Sequence, residues 1–335
     1  MDYRLLGRSG VKVSEIMLGC QTFGWVTDKP TAHVLADCFV EAGGNFFDTS
    51  NTYNDGESER ILGDWIKTRS NRQSYVIASK VFFPADDKGP NDSGLTRKHI
   101  MDQIDRSLKR LQTDYIDIYQ THCWDALTPL DETMRAMNDL VTAGKIRYIG
   151  ASNWTPSQLV RANMLAEKHH WARIACLQPE YSLLIRSPEW ELLPVCQEEG
   201  IGVIAWSPLA GGWLSGKYRR GQPPPPDSRA GRADRWDDLP EQRESEITWR
   251  IVDALNEVSS ACGKSLSQVA LNWLLQQPGV TAPIIGARTL AHLQDNLGCV
   301  GWSLDADQMA ILTAASNIPL PSPYNFIARY TRKCA

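Results

Sequence analysis

Short apolar runs rich in β-branched and aromatic residues alternate with longer stretches of helical periodicity along most of the chain. Runs of the first kind, closed by polar, glycine or proline residues, predict strands. They fall at Ile16–Gly19, Asn45–Asp48, Tyr75–Lys80, Tyr115–His122, Ile146–Ala151, Ile174–Gln178, Gly202–Trp206 and Pro283–Ile285. Helical spacing of apolar residues marks the stretches between them, as with Ile100, Ile104, Leu108 and Leu111 in Thr96–Leu111. Further helices are expected at Thr31–Ala42, closed by Gly43-Gly44, at Ser58–Lys67, and at Leu130–Ala143, stopped by Gly144. Thr155-Pro156 opens another, with an N-cap and a proline at the first helical position. Pro188–Glu199, Leu266–Leu275, Leu290–Leu297 and a terminal Asp305–Ala315 complete the helices. A short hairpin, Tyr3–Leu6 and Val11–Ser14 about a turn at Gly7–Gly10, precedes all of this.

Eight strands alternating with helices predict an α/β fold, a (β/α)8 TIM barrel with an N-terminal β-hairpin and extra helices. A length of 335 residues suits either one large barrel or two domains, and the strand–helix alternation predicts a single domain over residues 1–335. The competing doubly wound sheet wants Gly-x-Gly-x-x-Gly after its first strand, which Leu18-Gly19-Cys20-Gln21-Thr22-Phe23-Gly24 does not supply. Residues 209–244 interrupt the rhythm with Pro223–Pro226, several glycines and Arg219, Arg220, Arg229, Arg232 and Arg235. A loop this long leaving the seventh barrel strand is expected to be a lid over the active face rather than a linker.

A net charge of −4 offers no electrostatic attraction to nucleic acid or to an anionic membrane. No apolar run approaches the ~20 residues of a membrane helix. Met1-Asp2-Tyr3-Arg4 leads into a polar segment without a signal-peptide core, so the cytoplasm is the expected location. The eight cysteines, at 20, 38, 123, 176, 196, 262, 299 and 334, form no Cys-x-x-Cys pair and are expected to be reduced. His169-His170 are adjacent and no set of His, Cys or carboxylates has ligand spacing, so no metal is expected. Cys123 beside His122 is not expected to be a nucleophile with its base, because neighbouring strand residues point to opposite faces.

Three predicted strands end in Asp48, Lys80 and His122, and Tyr53 follows the first of them in its loop. Polar residues at the carboxyl ends of parallel barrel strands share the face that carries the chemistry. A free tyrosine has a pKa near ~10, and a neighbouring ammonium lowers it. Lys80 is expected to be that ammonium, with Asp48 holding it charged and His122 positioning a carbonyl oxygen beside Tyr53. A proton donor next to a bound carbonyl is half of a reduction. The other half is a hydride, which amino acids do not supply, so the site calls for a hydride-carrying coenzyme.

Phe47-Asp48-Thr49-Ser50-Asn51-Thr52-Tyr53, with Lys80 and His122, closely resembles the aldo-keto reductase superfamily. The resemblance runs nearly end to end, through Gly150-Ala151-Ser152-Asn153, Gln178-Pro179-Glu180-Tyr181, Trp206-Ser207-Pro208-Leu209 and Ile285-Gly286-Ala287-Arg288 to Asp295-Asn296. It looks nearest to the aryl-alcohol-dehydrogenase-like and potassium-channel-β-like branches. The resemblance implies that Ser152, Asn153 and Gln178 bind the nicotinamide carboxamide and that Trp206 stacks on the ring. It implies pyrophosphate contacts at Ser207, Pro208, Leu209, Gly211 and Lys217, and a lid arginine at Arg229. Gly286, Arg288, His292, Asp295 and Asn296 would then face the adenosine. His292 stands where relatives often carry Arg or Gln, and Asp295 where Glu is usual.

A guanidinium at Arg288 can meet two oxygens of a 2′-phosphate, which makes NADP(H) the expected coenzyme. His292 is expected to add to this only when protonated, its share fading above neutral pH. Trp25, Phe82, Trp124 and Trp154 all follow strand ends and are expected to line an apolar pocket for a small-molecule carbonyl substrate. The expected reaction is reduction of an aldehyde or ketone to an alcohol. Alternatives are a sugar or polyol oxidoreductase and a coenzyme-binding, channel-associated subunit. In the channel branch the position of His122 is typically Asn, so His122 favours turnover. Substrate identity and oligomeric state stay open at this point.

Overall fold

A computed structural model of the chain describes residues 1–85, 89–232 and 243–331. The strands are β1 (Tyr3–Leu5), β2 (Lys12–Ser14), β3 (Met17–Gly19), β4 (Phe46–Asp48) and β5 (Val76–Val81). β6 (Ile116–Thr121), β7 (Ile146–Ser152), β8 (Ile174–Gln178), β9 (Gly202–Ala205) and β10 (Val280–Gly286) follow. β3 to β10 close on themselves as eight parallel strands, β10 pairing with β3, while β1 and β2 form an antiparallel hairpin. The protein is a (β/α)8 TIM barrel.

Two-residue alternation sorts the strand side chains into two apolar layers. Phe46, Val76, Ala78, Ile118, Cys176, Ile204 and Ala282 point into the barrel. Phe47, Ile77, Tyr119, Leu177 and Val203 point outward and pack with the helices. Leu6 and Val13 join the inner cluster, so the hairpin plugs the amino-terminal mouth of the barrel. Gly7 permits that seat: at φ +55, a Cβ would lie 2.4 Å from the Gly200 carbonyl oxygen. Arg4 ties the hairpin to the carbonyls of Leu275 and Val280 at 3.0 and 2.9 Å. With that mouth closed, only the carboxyl-terminal face remains open for chemistry.

Several elements differ from the sequence-based expectation. β10 begins at Val280 rather than Pro283, and its pairing with β9 shifts register between Val280 and Ala282. The helix expected at Pro188–Glu199 is a 3-10 turn, Ser187–Trp190, followed by a helix at Leu192–Glu199, broken at Glu191 with φ −150. A helix at Glu246–Cys262 was not expected, although Ser245 caps it and Gly263 ends it. The expected lid is partly ordered, with a 3-10 helix at Ala210–Ser215 and a helical turn at Arg229–Arg232. The rest of the lid call, residues 233–242 with Arg235, and Cys334 lie outside the described residues. The other seven cysteines are all free thiols.

Candidate active site

The inward positions that follow the apolar barrel layer toward the open face are polar: Asp48 on β4, Lys80 on β5 and His122 just past β6. In register Asp48 lies opposite Ala78 and Lys80 opposite Gln120, so Lys80 and then His122 each stand two residues further toward the open face, on the same inward side. The turn after β4 lifts Tyr53 over them through left-handed residues Asn54, Asp55 and Gly56, at φ 52, 53 and 80. The Asn54 amide anchors that turn by donating to the carbonyls of Gln21 and Phe23 at 2.9 and 2.7 Å.

Lys80 has no solvent exposure. Its Nζ donates to Asp48 Oδ2 at 2.6 Å, the Thr49 carbonyl at 2.9 Å and the Tyr53 hydroxyl at 3.1 Å. Three ammonium protons thus meet three acceptors, the condition under which a buried charge is tolerated. The second oxygen of Asp48 accepts from Gln178 Nε2 at 2.8 Å, linking β4 to β8 across the barrel. Lys80 does not reach the cavity; it acts from behind Tyr53.

Protonation states follow from burial. Burial pulls Lys80 down, but Asp48 and Tyr53 outweigh it and leave the ammonium above its ordinary pKa. Burial raises the Tyr53 phenol more than Lys80 lowers it, so its pKa lies above the free value. This corrects the expected lowering: Lys80 pulls as predicted, but the loss of water around the phenol is the larger effect. Burial, then the Lys80 charge, holds His122 well below the usual imidazole range. At neutral pH the site therefore holds a neutral phenol and a neutral imidazole side by side, their rings 5.8 Å apart and nearly perpendicular. Ser50 Oγ lies 3.2 Å from His122 Nδ1.

These groups form the floor of a cavity of about 620 Å³ that runs across the carboxyl-terminal face. Ser152, Asn153, Gln178 and Trp206 line its middle. Asn153, itself at φ 56, donates to the His122 carbonyl at 3.0 Å and accepts from Trp206 Nε1 at 3.2 Å. Ser207, Pro208, Leu209, Gly211, Lys217 and Arg229 follow, then Gly286, Arg288, His292, Asp295 and Asn296 at the far end. Every residue that the resemblance assigned to a coenzyme thus lines one cavity. Burial in its wall, then the charges of Arg288 and Arg229, pull the Lys217 ammonium down to about 8. Burial and the charges of Arg288 and Lys217 lower His292 as well. Asp295 accepts from Ser265 at 3.1 Å and from Gln268 at 3.1 Å, which fixes its carboxylate at the cavity edge.

The expected substrate wall is only partly as placed. Trp25 lines the cavity; Phe82, Trp124 and Trp154 do not. Alternation from Lys80 points Phe82 inward, but β5 ends at Val81 and the turn beyond brings Phe83 into the cavity instead. Phe83 packs on His122 at 5.1 Å, with Phe82 behind it at 5.0 Å. Trp124 and Trp154 pack edge to face at 4.9 Å, with Trp154 buried. Arg232, one of the expected lid arginines, also lines the cavity, as do Gln21, Thr22 and Val26, which carried no signal in the sequence beyond lying in a loop after a strand. Among the described residues, no group of three His, Cys, Asp or Glu side chains can hold a metal ion, and no helix is long and apolar enough to cross a membrane.

Residues 15–317 match the model of the Aldo/keto reductase family. The chain belongs to the aldo/keto reductase family. It is 40% identical to the uncharacterized oxidoreductase YrpG of Bacillus subtilis (strain 168), over 93% of this chain and 95% of that protein. It is 38% identical to a probable voltage-gated potassium channel subunit beta of Arabidopsis thaliana, over 90% and 91% of the two chains. Identity to the versiconal hemiacetal acetate reductase of Aspergillus parasiticus is 33%, over 93% and 96%. Aldo/keto reductases generally use NAD(P)H, whose phosphates would suit the cationic half of this cavity.

A testable consequence follows from Lys217. A bound dinucleotide phosphate favours the ammonium, so binding should take up protons just above pH 8, where the free lysine is partly neutral, and affinity should fall as pH rises through that range. Calorimetry in two buffers of different ionisation heat measures the uptake. Lys217→Met should abolish it; unchanged uptake in that variant would assign the titration to another group.

Proposed function

We propose that the chain reduces an aldehyde or ketone to the alcohol with NADPH, with Tyr53 as the proton donor. The carrying observation is the Tyr53 hydroxyl, 3.1 Å from a fully buried, fully partnered ammonium and beside His122 at the floor of the cavity. NADPH, when bound, supplies the hydride to the carbonyl carbon. Tyr53 gives its proton to the carbonyl oxygen, and the phenolate left behind is stabilised by Lys80. A phenol held neutral by burial is in the donor form at neutral pH. In this reading the neutral His122, its Nδ1 3.2 Å from Ser50 Oγ, carries its proton on Nε2, where it orients the carbonyl oxygen.

The coenzyme reading fits the donor set. Gln178 has its amide nitrogen committed to Asp48, which leaves its side-chain oxygen for the carboxamide N–H. Trp206 is held edge-on by Asn153, so its face is set for stacking. Lys217, Arg229, Arg232 and Arg288 gather at the opposite half for phosphate. The lid reading is supported at the ends of residues 209–244. Arg288 donates to the Asp227 carbonyl, Ala230 N–H donates to Tyr218 at 3.2 Å, and Arg243 pairs with Glu180 at 2.6 Å. The channel-subunit reading, which one relative's name suggests, is weaker because His122 supplies the donor that carbonyl turnover uses.

Tyr53→Phe removes one of the three Lys80 acceptors and should cost some stability, but should still bind NADPH and lose roughly 10²- to 10⁴-fold in reductase rate, the usual worth of a general acid. Following NADPH absorbance with an aldehyde panel checks this, and near wild-type turnover would remove Tyr53 from the mechanism. Arg288→Ala should weaken NADPH by about ten- to a hundredfold, the worth of a charge-assisted hydrogen bond, with little effect on NADH. Fluorescence titration with both coenzymes decides it; equal weakening would mean that Arg288 does not read the 2′-phosphate. For the lid, added NADPH should protect residues 209–232 from protease, and identical digestion patterns would favour a plain linker.

A further inference from the structure

Phe83 forms the wall of the cavity beside His122, yet it sits on a loop rather than on a strand, so something must hold it there. Its carbonyl accepts from Asn51 Nδ2 at 3.1 Å, and the same amide donates to Gln103 Oε1 at 3.1 Å. The loop folds back on itself where Gly94 N–H donates to the Phe82 carbonyl at 2.8 Å. The next residue, Leu95, donates its N–H across to Asp125 Oδ2 at 2.7 Å. Asp125 belongs to the neighbouring loop, the one that follows His122.

Asp125 is buried at 9% exposure and does not line the cavity. Its Oδ2 also accepts from Thr128 Oγ1 at 2.7 Å, and its Oδ1 from Leu127 N–H at 2.9 Å. Burial raises its pKa, but the hydrogen bonds from Thr128, Leu95 and Leu127 outweigh that and keep the carboxyl below its ordinary value. Gly94 lets the carboxylate come this close: at φ +84, a Cβ would lie 2.6 Å from Asp125 Oδ2. One carboxylate therefore fastens the end of the Phe83 loop to the loop after β6. Tyr53 and His122 have their own supports, Lys80 for the first and the Asn153 and Val81 contacts to the backbone of the second.

We infer that Asp125 is a positioning residue for the substrate side of the cavity: from outside it, the carboxylate joins two loops so that Phe83 stands against His122. Its loss leaves the N–H groups of Leu95 and Leu127 and the Thr128 hydroxyl without their acceptor and loosens the Gly94–Leu95 end of the Phe83 loop, with Asn51 left to hold the Phe83 carbonyl. The proton donor and the coenzyme half stay as they are. Selectivity for substrates large enough to touch Phe83 then changes, while small ones, which use only Tyr53 and His122, are spared. The kinetic part of this inference rests on the carbonyl-reductase reading.

The test compares Asp125→Ala, Phe83→Ala and their double variant with wild type. The readouts are kcat/KM for benzaldehyde and acetaldehyde, NADPH affinity, and amide exchange across residues 80–85 and 94–95. Asp125→Ala should lower kcat/KM for benzaldehyde by about tenfold or more, within the range for misplaced binding groups. Acetaldehyde turnover and NADPH affinity should change little, and exchange should speed up at Phe83 and Gly94. In the Phe83→Ala background the same substitution should add no further loss of selectivity, because both act through one ring. Equal losses for both aldehydes, additive effects, or unchanged exchange would each overturn the assignment. Should Asp125→Ala not fold, Asp125→Asn, which keeps one acceptor oxygen, is read by the same criteria. Should wild type reduce neither aldehyde, the reductase reading fails, and the exchange rates alone decide whether Asp125 holds the loop.

Discussion

The site depends on keeping one ammonium charged without water. Lys80 is fully buried near the mouth of an otherwise apolar barrel, and its three protons are met by Asp48, the Thr49 carbonyl and Tyr53. Removing one partner of a buried pair typically costs about 3–5 kcal/mol, because a lone charge is left behind. That constraint fixes more than the lysine. Asp48 must face inward on β4, Lys80 on β5 and Gln178 on β8, and a slip of one residue in any strand would turn its polar end into the helix layer. The turn carrying Tyr53 is equally bound, since its hydroxyl is the third acceptor.

The same scarcity of water sets the two neutral partners. Burial moves the phenol of Tyr53 up and the imidazole of His122 down, so both are uncharged where they meet the cavity. A neutral donor pair beside a buried cation differs from the lowered tyrosine pKa that the residue types alone suggest. Charge in the accessible part of the cavity is concentrated at the other half, around Lys217, Arg229 and Arg288, where phosphate would neutralise it.

The relatives carry names as different as a hemiacetal acetate reductase and a potassium channel subunit, on chains that align along nearly their whole length. A shared barrel does not separate such roles; the loops at its open end do. In this chain those loops are braced by polar side chains that never touch the cavity, Asn51, Gln103 and Asp125 among them. Small changes in such braces can alter what fits without altering the floor.

Local chemistry made much of the protein legible in the sequence. Alternation of short apolar runs with helical ones marked all eight barrel strands, because barrel strands are buried on both faces and helices on one. Asp48, Lys80 and His122 stood out as polar ends of those runs, and the length of the chain's resemblance to a known family located the residues along the cavity. The loop geometry was not legible. Phe82 was expected at the wall because it follows a strand end, but β5 runs on to Val81 and the turn beyond presents Phe83 instead. The helix at Glu246–Cys262 was hidden behind an atypical loop, and the first half of β10, before Pro283, pairs with β9 across a register shift between Val280 and Ala282. Protonation states lay further still from the sequence. Residue types tell which charges are available, but how much water each group keeps depends on the packed barrel around it, and here that decided the direction in which Tyr53 shifts.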